Sequence, residues 1–274
     1  MLNQENYVMF DKYNRTINYL RISITDRCNL RCIYCMPEEG VKMLNHDQIL
    51  SFEEIAEVVK TGVSVGISKI RITGGEPLVR KDAVHLIELL ASIEGVKDLS
   101  MTTNGILLSK YAASLKKAGL HRVNVSLDTM DPLKFRHITR GGVLNDVLEG
   151  IDAAITEGLN PVKLNCVIKD SSDNHDPQSV KAFADSRKIQ VRFIHQMNLS
   201  EGNFSIVEGG SGGDCSHCSR LRLTADGKIK PCLFNDLEFD VRELGAVEAI
   251  KRAVQNKPPF GSHNYSGAFY NIGG

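Results

Sequence analysis

Segments typical of strands and of helices alternate along most of the chain. Runs rich in β-branched residues predict six strands, at 19–25, 69–74, 98–104, 121–128, 162–168 and 190–197. Amphipathic stretches predict the helices between and after them, at 51–63, 81–93, 109–119, 144–158, 179–188 and 244–257. Strands that alternate with helices in this way run parallel and are joined by right-handed crossovers, so the fold class is α/β. The alternation alone does not distinguish an open doubly wound sheet from a barrel or a partial barrel.

The pattern changes after Met197. Residues 198–214 are rich in Gly and Ser, which predicts a flexible loop. A hairpin-like stretch with three cysteines and the last short helix follow this loop. We therefore expect two parts, a large α/β domain over residues 1–198 and a small C-terminal module over residues 199–274.

Composition excludes several classes of function. A formal net charge of zero, no tryptophan and 6% aromatic residues argue against a surface that binds nucleic acid or an anionic membrane. The sequence has no apolar run long enough to span a membrane, and its N-terminus lacks the basic and apolar regions of a secretory signal. We therefore expect a cytoplasmic protein whose thiols stay reduced. Seven cysteines in such a protein indicate metal binding or catalysis before disulfides.

Three of these cysteines, Cys28, Cys32 and Cys35, follow directly after the first predicted strand. The carboxyl ends of parallel strands carry the chemistry in α/β folds. Three thiolates can hold three irons of a [4Fe–4S] cluster and leave the fourth iron open for an outside ligand. A zinc site completed by a ligand from elsewhere and three unrelated thiols are the alternatives.

The sequence "CNLRCIYC" at these positions resembles the CxxxCxxC signature of the radical S-adenosylmethionine (SAM) superfamily, including the aromatic Tyr34. "TGGEP" (73–77), "TTNG" (102–105) and "SLD" (126–128) end the next three strands, as in that superfamily. The resemblance implies a partial (βα)6 TIM-like barrel in which SAM binds the open iron and is cleaved to a 5′-deoxyadenosyl radical. The residues expected to bind SAM are Tyr34, Gly74, Gly75, Glu76, Ser126 and Met197.

A second trio, Cys215, Cys218 and Cys232, lies in the C-terminal part. Its spacing fits either zinc with a histidine as fourth ligand or a second [4Fe–4S] cluster. His217 is a poor zinc ligand here, because it lies inside the Cys-x-x-Cys turn and its ring has difficulty reaching a metal held by the neighbouring cysteines. Arg220 and Arg222 alternate between these cysteines, so in a strand they face the same side. Two such guanidiniums suit phosphate or carboxylate binding, and a pair of solvated surface arginines is the alternative.

The stretch from Cys215 to Phe234 resembles the "CxxCxRxRL…DGK…CLF" motif of the GTP 3′,8-cyclase family of molybdenum cofactor biosynthesis, which also ends in Gly-Gly, as Gly273 and Gly274 do here. The resemblance implies an enzyme with two [4Fe–4S] clusters, a flavodoxin- or ferredoxin-type reductant and GTP or a related nucleotide as substrate. It leaves the oligomeric state open, with a homodimer as one option. The residues expected to bind GTP are Arg21, Arg71, Thr102, Lys163, Arg220 and Arg222. Three of them, Arg21, Arg220 and Arg222, are also the expected catalytic residues.

One interval departs from that family. The seventeen residues between Met197 and Cys215 are a few dozen fewer than the family has, so a wall of the substrate cavity is expected to be missing. This leaves a related two-cluster enzyme that acts on another nucleotide or on a peptide as an alternative. An iron–sulfur electron carrier and a zinc-binding module are the non-enzymatic alternatives.

Overall fold

The predicted strands and helices all form in the structure, a computed structural model that describes residues 8–169 and 175–265. The strands are β1 Tyr19–Ser23, β2 Lys69–Thr73, β3 Asp98–Thr103, β4 Arg122–Ser126, β5 Lys163–Ile168, β6 Gln190–His195, β7 Arg220–Leu223, β8 Lys228–Lys230 and β9 Phe239–Asp240. The helices are α1 Phe52–Ser64, α2 Ala83–Ala91, α3 Leu108–Lys117, α4 Pro132–Thr139, α5 Leu144–Thr156, α6 His175–Ser186, α7 Val241–Leu244 and α8 Ala246–Gln255, with a 3₁₀ turn at Pro77–Val79.

The nine strands form one sheet in the order β6-β5-β4-β3-β2-β1-β7-β8-β9. The first six run parallel in chain order, β7 joins the other side of β1 in parallel, and β8 and β9 continue in antiparallel fashion. The ends of the sheet do not meet, so the α/β prediction is confirmed and the sheet is not closed. Strands of the C-terminal part thus extend the sheet of the first part, and a separate module from residue 199 stays a prediction.

The two faces of the sheet differ in chemistry because strand residues alternate between them. Leu20 and Ile22 of β1 are fully buried in the apolar core, whereas Tyr19 and Arg21 belong to the opposite, polar face. Strand register then places Arg21 directly between Arg71 of β2 and Arg222 of β7. The fold therefore aligns three arginines across three neighbouring strands.

The Gly- and Ser-rich segment after Met197 is a loop, but hydrogen bonds and packing hold it in place. Phe193 of β6 pairs with Glu208 in an antiparallel bridge. Leu199 is buried in a small second core with Leu233 and Phe234, and Phe204 packs against that core. The expectation of a flexible loop from composition did not foresee these tertiary contacts.

Two further observations bear on the sequence predictions. Within residues 8–169 and 175–265, no helix has both the length and the apolar character needed to cross a membrane. Gly273 and Gly274 lie outside the described residues.

Candidate active site

The first cysteine trio lies on the loop that follows β1. Cys35 N and Met36 N both donate to Cys32 O, over 2.9 and 3.0 Å, which folds the Cys-x-x-Cys segment into a tight turn. Burial, with smaller contributions from neighbouring thiols, raises the pKa of Cys32 to about 12 and that of Cys35 to about 11. The thiols therefore interact with one another, and each must release its proton to solvent when it binds a metal as a thiolate.

No three Cys, His, Asp or Glu side chains in the described part of the chain converge closely enough to share a single metal ion. A [4Fe–4S] cluster does not require such convergence, because each thiolate binds a different iron. The donor chemistry of three partly buried cysteines on one turn suits this cofactor.

The glycines of "TGGEP" hold the cysteine loop against β2. Gly75 N donates to Thr25 O over 2.7 Å, and Glu76 N donates to Arg27 O over 2.8 Å. A Cβ atom on Gly75 would lie 2.3 Å from Arg27 O, so only glycine permits this approach. The close contact that the sequence predicted for a ligand is thus made by the chain itself, and the SAM contacts of Gly74 and Gly75 stay predictions.

Glu76 is 1% exposed and connects the ends of β2 and β3. Its Oε1 accepts from Thr103 Oγ1 over 2.8 Å, and its Oε2 accepts from Asn104 N over 2.7 Å. Asn104 in turn directs its Nδ2 to the Sγ of Cys28 at 3.8 Å. Burial raises the pKa of Glu76 to about 7, so a cation such as the SAM ammonium would be favourable beside it. That contact stays a prediction.

This raised pKa predicts a pH-dependent stability. A carboxyl group with a higher pKa in the folded than in the unfolded protein stabilises the fold below its unfolded pKa and loses this effect as pH rises through its folded pKa. Between pH 5 and pH 8 we expect wild type to lose on the order of 2 kcal/mol of unfolding free energy relative to Glu76→Gln. Urea unfolding of both metal-free proteins at each pH measures this difference, and parallel pH profiles would contradict the assignment.

Tyr34 connects the cysteine loop to the end of β4. Its hydroxyl donates to Asp128 Oδ2 over 2.8 Å, while Asp128 Oδ1 accepts from Val167 N over 2.8 Å. Burial raises the pKa of Asp128 to about 6. Ser126 ends β4 two residues earlier, so the structure brings two predicted SAM-binding residues to the same strand end. Asp128 is the connecting residue, and the "SLD" motif contained it without revealing this role.

A cavity on the polar face of the sheet gathers many of the predicted substrate residues. It is lined by five arginines and by Met197; the arginines are Arg21, Arg71, Arg192, Arg220 and Arg222. Arg21, Arg71 and Arg222 are only 8%, 9% and 7% exposed. Burial and the charges of neighbouring arginines lower the pKa of Arg222 to about 10 and that of Arg21 well below its usual value. Buried cations that repel one another form a site for a polyanion.

Thr102 and Lys163 lie on β3 and β5, with Asn124 of β4 between them in register. They are not among the residues that line the arginine cavity. Burial and the charges of Arg192 and other arginines lower the pKa of Lys163, which places it in the same positive field. Thr102 Oγ1 and both side-chain polar atoms of Asn124 are buried without hydrogen-bond partners among the described residues, which fits a polar ligand.

Arg192 and Asn124 were missed in the sequence. On β6, Arg192 pairs with Asn165, and both line the cavity. The sequence contained an indication of Arg192. Strand alternation places Asn165 on the same face as Lys163, and the register of β5 and β6 then places Arg192 beside Asn165 on that face. That register is a property of the sheet and could not be read from either strand alone.

The second cysteine trio lines the same cavity as the arginines. Cys218 N donates to Cys215 O over 3.3 Å, which closes the Cys-x-x-Cys turn. His217 is not turned to the thiols: its side chain is 83% exposed, and its Nδ1 lies 2.8 Å from Asp214 Oδ2. Burial raises the pKa of Cys218, but Lys257 and Arg220 together outweigh it and bring the pKa to about 7. The trio is thus a set of thiols in a positive environment, without His217 as a ligand.

The short linker provides a wall of this cavity. Phe204, Ser205 and Val207 line it together with the stretch 210–214. The Phe204 ring stacks on Phe234 with 4.5 Å between the centroids. The sequence predicted that a wall of the substrate cavity would be missing, and the seventeen residues between Met197 and Cys215 form part of such a wall.

Comparison with solved structures supports the fold. The chain is similar to Streptococcus suis SuiB bound to S-adenosylmethionine, with a TM-score of 0.65 and 15% identity. The similarity covers 90% of this chain and 66% of that one. It is also similar to anSMEcpe with bound AdoMet, with a TM-score of 0.60 and 16% identity over 87% of this chain and 81% of that one.

Sequence comparison identifies the family. Residues 22–183 match the Radical SAM superfamily, and residues 162–260 match Molybdenum Cofactor Synthesis C. The GTP 3′,8-cyclase of Thermodesulfovibrio yellowstonii is 45% identical over 296 aligned positions, which cover 90% of this chain and 92% of that protein. The GTP 3′,8-cyclase of Petrotoga mobilis is 41% identical and covers 94% and 95%. The chain therefore belongs to the radical SAM superfamily and, within it, to the GTP 3′,8-cyclase family of enzymes.

Proposed function

We propose that this enzyme converts GTP to 3′,8-cyclo-7,8-dihydro-GTP in molybdenum cofactor biosynthesis. The observation that carries the proposal is the arginine cavity, because it places a row of buried arginines and three cysteines on the walls of one space. The names of the curated relatives support the same reaction. A peptide substrate offers no reason for so many cations, which favours a nucleotide triphosphate.

The first trio, Cys28, Cys32 and Cys35, would hold the cluster that binds SAM, and Cys215, Cys218 and Cys232 would hold a second [4Fe–4S] cluster. With SAM and a reduced cluster bound, the first site would supply a 5′-deoxyadenosyl radical able to take the 3′ hydrogen atom of the ribose. Closure of the bond from C3′ to C8 would then need one further electron and one proton to give the 7,8-dihydro product. The half-buried Tyr34, hydrogen-bonded to Asp128, and the buried Glu76 would help to keep water away from this chemistry. A flavodoxin- or ferredoxin-type reductant and a homodimer stay predictions.

The protein's own task is to orient GTP. Arg21, Arg71 and Arg222 lie side by side on three strands and suit the triphosphate, whose oxygens accept paired hydrogen bonds from guanidinium groups. Arg192, Arg220 and Lys163 add charge around them. In this proposal the base would point to the second trio and the linker wall. The ribose would then lie between the two cysteine sites, where the radical would act.

The direct test is an anaerobic assay of the reconstituted protein with SAM, a low-potential reductant and either GTP or ATP. We expect equal amounts of 5′-deoxyadenosine and 3′,8-cyclo-7,8-dihydro-GTP with GTP, and no cyclic product with ATP. Chromatography with mass detection measures both products. SAM cleavage without consumption of GTP would contradict the substrate assignment and leave the radical SAM chemistry intact.

A further inference from the structure

Lys257 is a buried cation beside the second cysteine trio. It follows α8 and is 2% exposed, although lysine is almost never fully buried without a partner. Its Nζ donates to Arg220 O and to Pro231 O, over 2.7 Å in each case. Arg220 lies two residues after Cys218, and Pro231 directly precedes Cys232. The ammonium therefore joins the two chain segments that carry these cysteines.

The position of Lys257 is fixed by a second clamp. Arg15 Nη2 donates to Pro258 O over 2.7 Å, and its Nη1 donates to Pro259 O over 3.0 Å. The same Nη1 donates to Cys215 O over 2.8 Å, and Arg15 Nε pairs with Asp11 Oδ2 over 2.6 Å. The segment after α8 is thus tied to the turn that contains Cys215 and Cys218.

We propose that Lys257 is the positioning residue of the second metal site, which holds the Cys218 and Cys232 segments together and offsets the negative charge of the thiolate-bound cluster. The inference rests on the proposed second cluster. The ammonium of Lys257 interacts with the thiols of Cys218 and Cys232 in addition to its hydrogen bonds with the carbonyls of Arg220 and Pro231. Lys257 lines the same cavity as Arg220 and Arg222, which also act on these thiols. It differs from the two arginines because its ammonium donates to a carbonyl on each of the segments that carry Cys218 and Cys232.

This role has a direct electrochemical consequence. A fixed positive charge in a buried site stabilises the reduced cluster, which carries one more electron than the oxidised one. Loss of the ammonium therefore makes the midpoint potential of the second cluster more negative. If Lys257 only filled space, its replacement by an uncharged side chain of similar volume would leave the midpoint potential unchanged.

The test is a redox titration followed by electron paramagnetic resonance, in full-length chains that also carry Cys28→Ala so that only the second cluster contributes. Lys257→Met, with a side chain of similar volume, is expected to shift the midpoint potential to more negative values than Cys28→Ala alone. Lys257→Arg keeps the charge and is expected to have a midpoint potential close to that of Cys28→Ala alone. Lys230→Met is the matched control, because Lys230 is 1% exposed and pairs with Glu238 instead of facing the cysteines.

The possible outcomes separate the proposals. A more negative potential, or loss of iron in Lys257→Met with iron retained in Lys230→Met, supports the role of Lys257. An unchanged potential with full iron content overturns it, as does equal loss of iron in both variants. Absence of iron from the Cys28→Ala parent itself would overturn the second cluster and, with it, the role of Lys257, whereas an unchanged potential in an iron-loaded parent overturns the role of Lys257 alone.

Discussion

Cys28→Ala is expected to reduce SAM cleavage to the uncatalysed background and to lower the iron content from about eight to about four per chain. Cys28 lies on the loop after β1, and its thiol accepts from Leu30 N over 3.4 Å and faces Asn104. Alanine removes one of three thiolates and leaves its iron without a protein ligand. Anaerobic iron and sulfide analysis, combined with a 5′-deoxyadenosine assay, measures both effects.

Cys215→Ala is the informative partner of this variant. It removes a thiolate from the second trio, so we expect the same loss of iron but retained SAM cleavage, with no cyclic nucleotide formed. Cys166→Ala is the control, because Cys166 is fully buried in β5 and belongs to neither trio. If Cys215→Ala retained both full iron content and cyclisation, the second cluster would be excluded from the mechanism.

Local sequence patterns predicted the strands and the chemistry of their ends well. Runs rich in β-branched residues predicted the first six strands, and their parallel arrangement followed from the intervening helices. Arg220 and Arg222 were assigned to one face because strand residues alternate, and the structure places both in the cavity. Such features depend on neighbours within a few residues, and these neighbours are visible in a single sequence.

Features that depend on distant parts of the chain were missed. Arg192 joins the cavity only through the register of β5 and β6. Lys257 follows a surface helix and looks like any exposed lysine until the fold buries it next to Cys218. The Gly-rich linker shows the same limit, because composition reveals that it is a loop but not that Phe204 packs on Phe234 to form a wall.

The two glycines of "TGGEP" have a structural role that the sequence did not reveal. Their motif predicts that Gly74 and Gly75 contact SAM, which stays a prediction, and the structure shows that they admit the backbone of residues 25–27. Both explanations require a residue without a Cβ atom, so the residue type alone could not separate them. The consequence is functional all the same, since this contact fixes the loop that carries the first cysteine trio.

Arg222→Met is expected to weaken GTP binding about a hundredfold or more, which corresponds to roughly 3 kcal/mol. Arg222 is 7% exposed and lies next to Arg21 in register, so its guanidinium would meet a triphosphate in the cavity at a largely buried position. Arg222→Lys keeps the charge but loses the planar fork, and we expect an intermediate loss. Isothermal titration calorimetry of GTP with the reconstituted enzymes measures the affinities.

The control for this series is Arg187→Met, since Arg187 is exposed and pairs with Asp152 over 3.1 Å away from the cavity. Its GTP affinity should equal that of wild type, because exposed ion pairs contribute little and the cavity charge is unchanged. Added salt should weaken GTP binding less in Arg222→Met than in wild type, because fewer charges are then screened. Equal affinity in Arg222→Met and Arg187→Met would show that the triphosphate does not bind to the row of arginines.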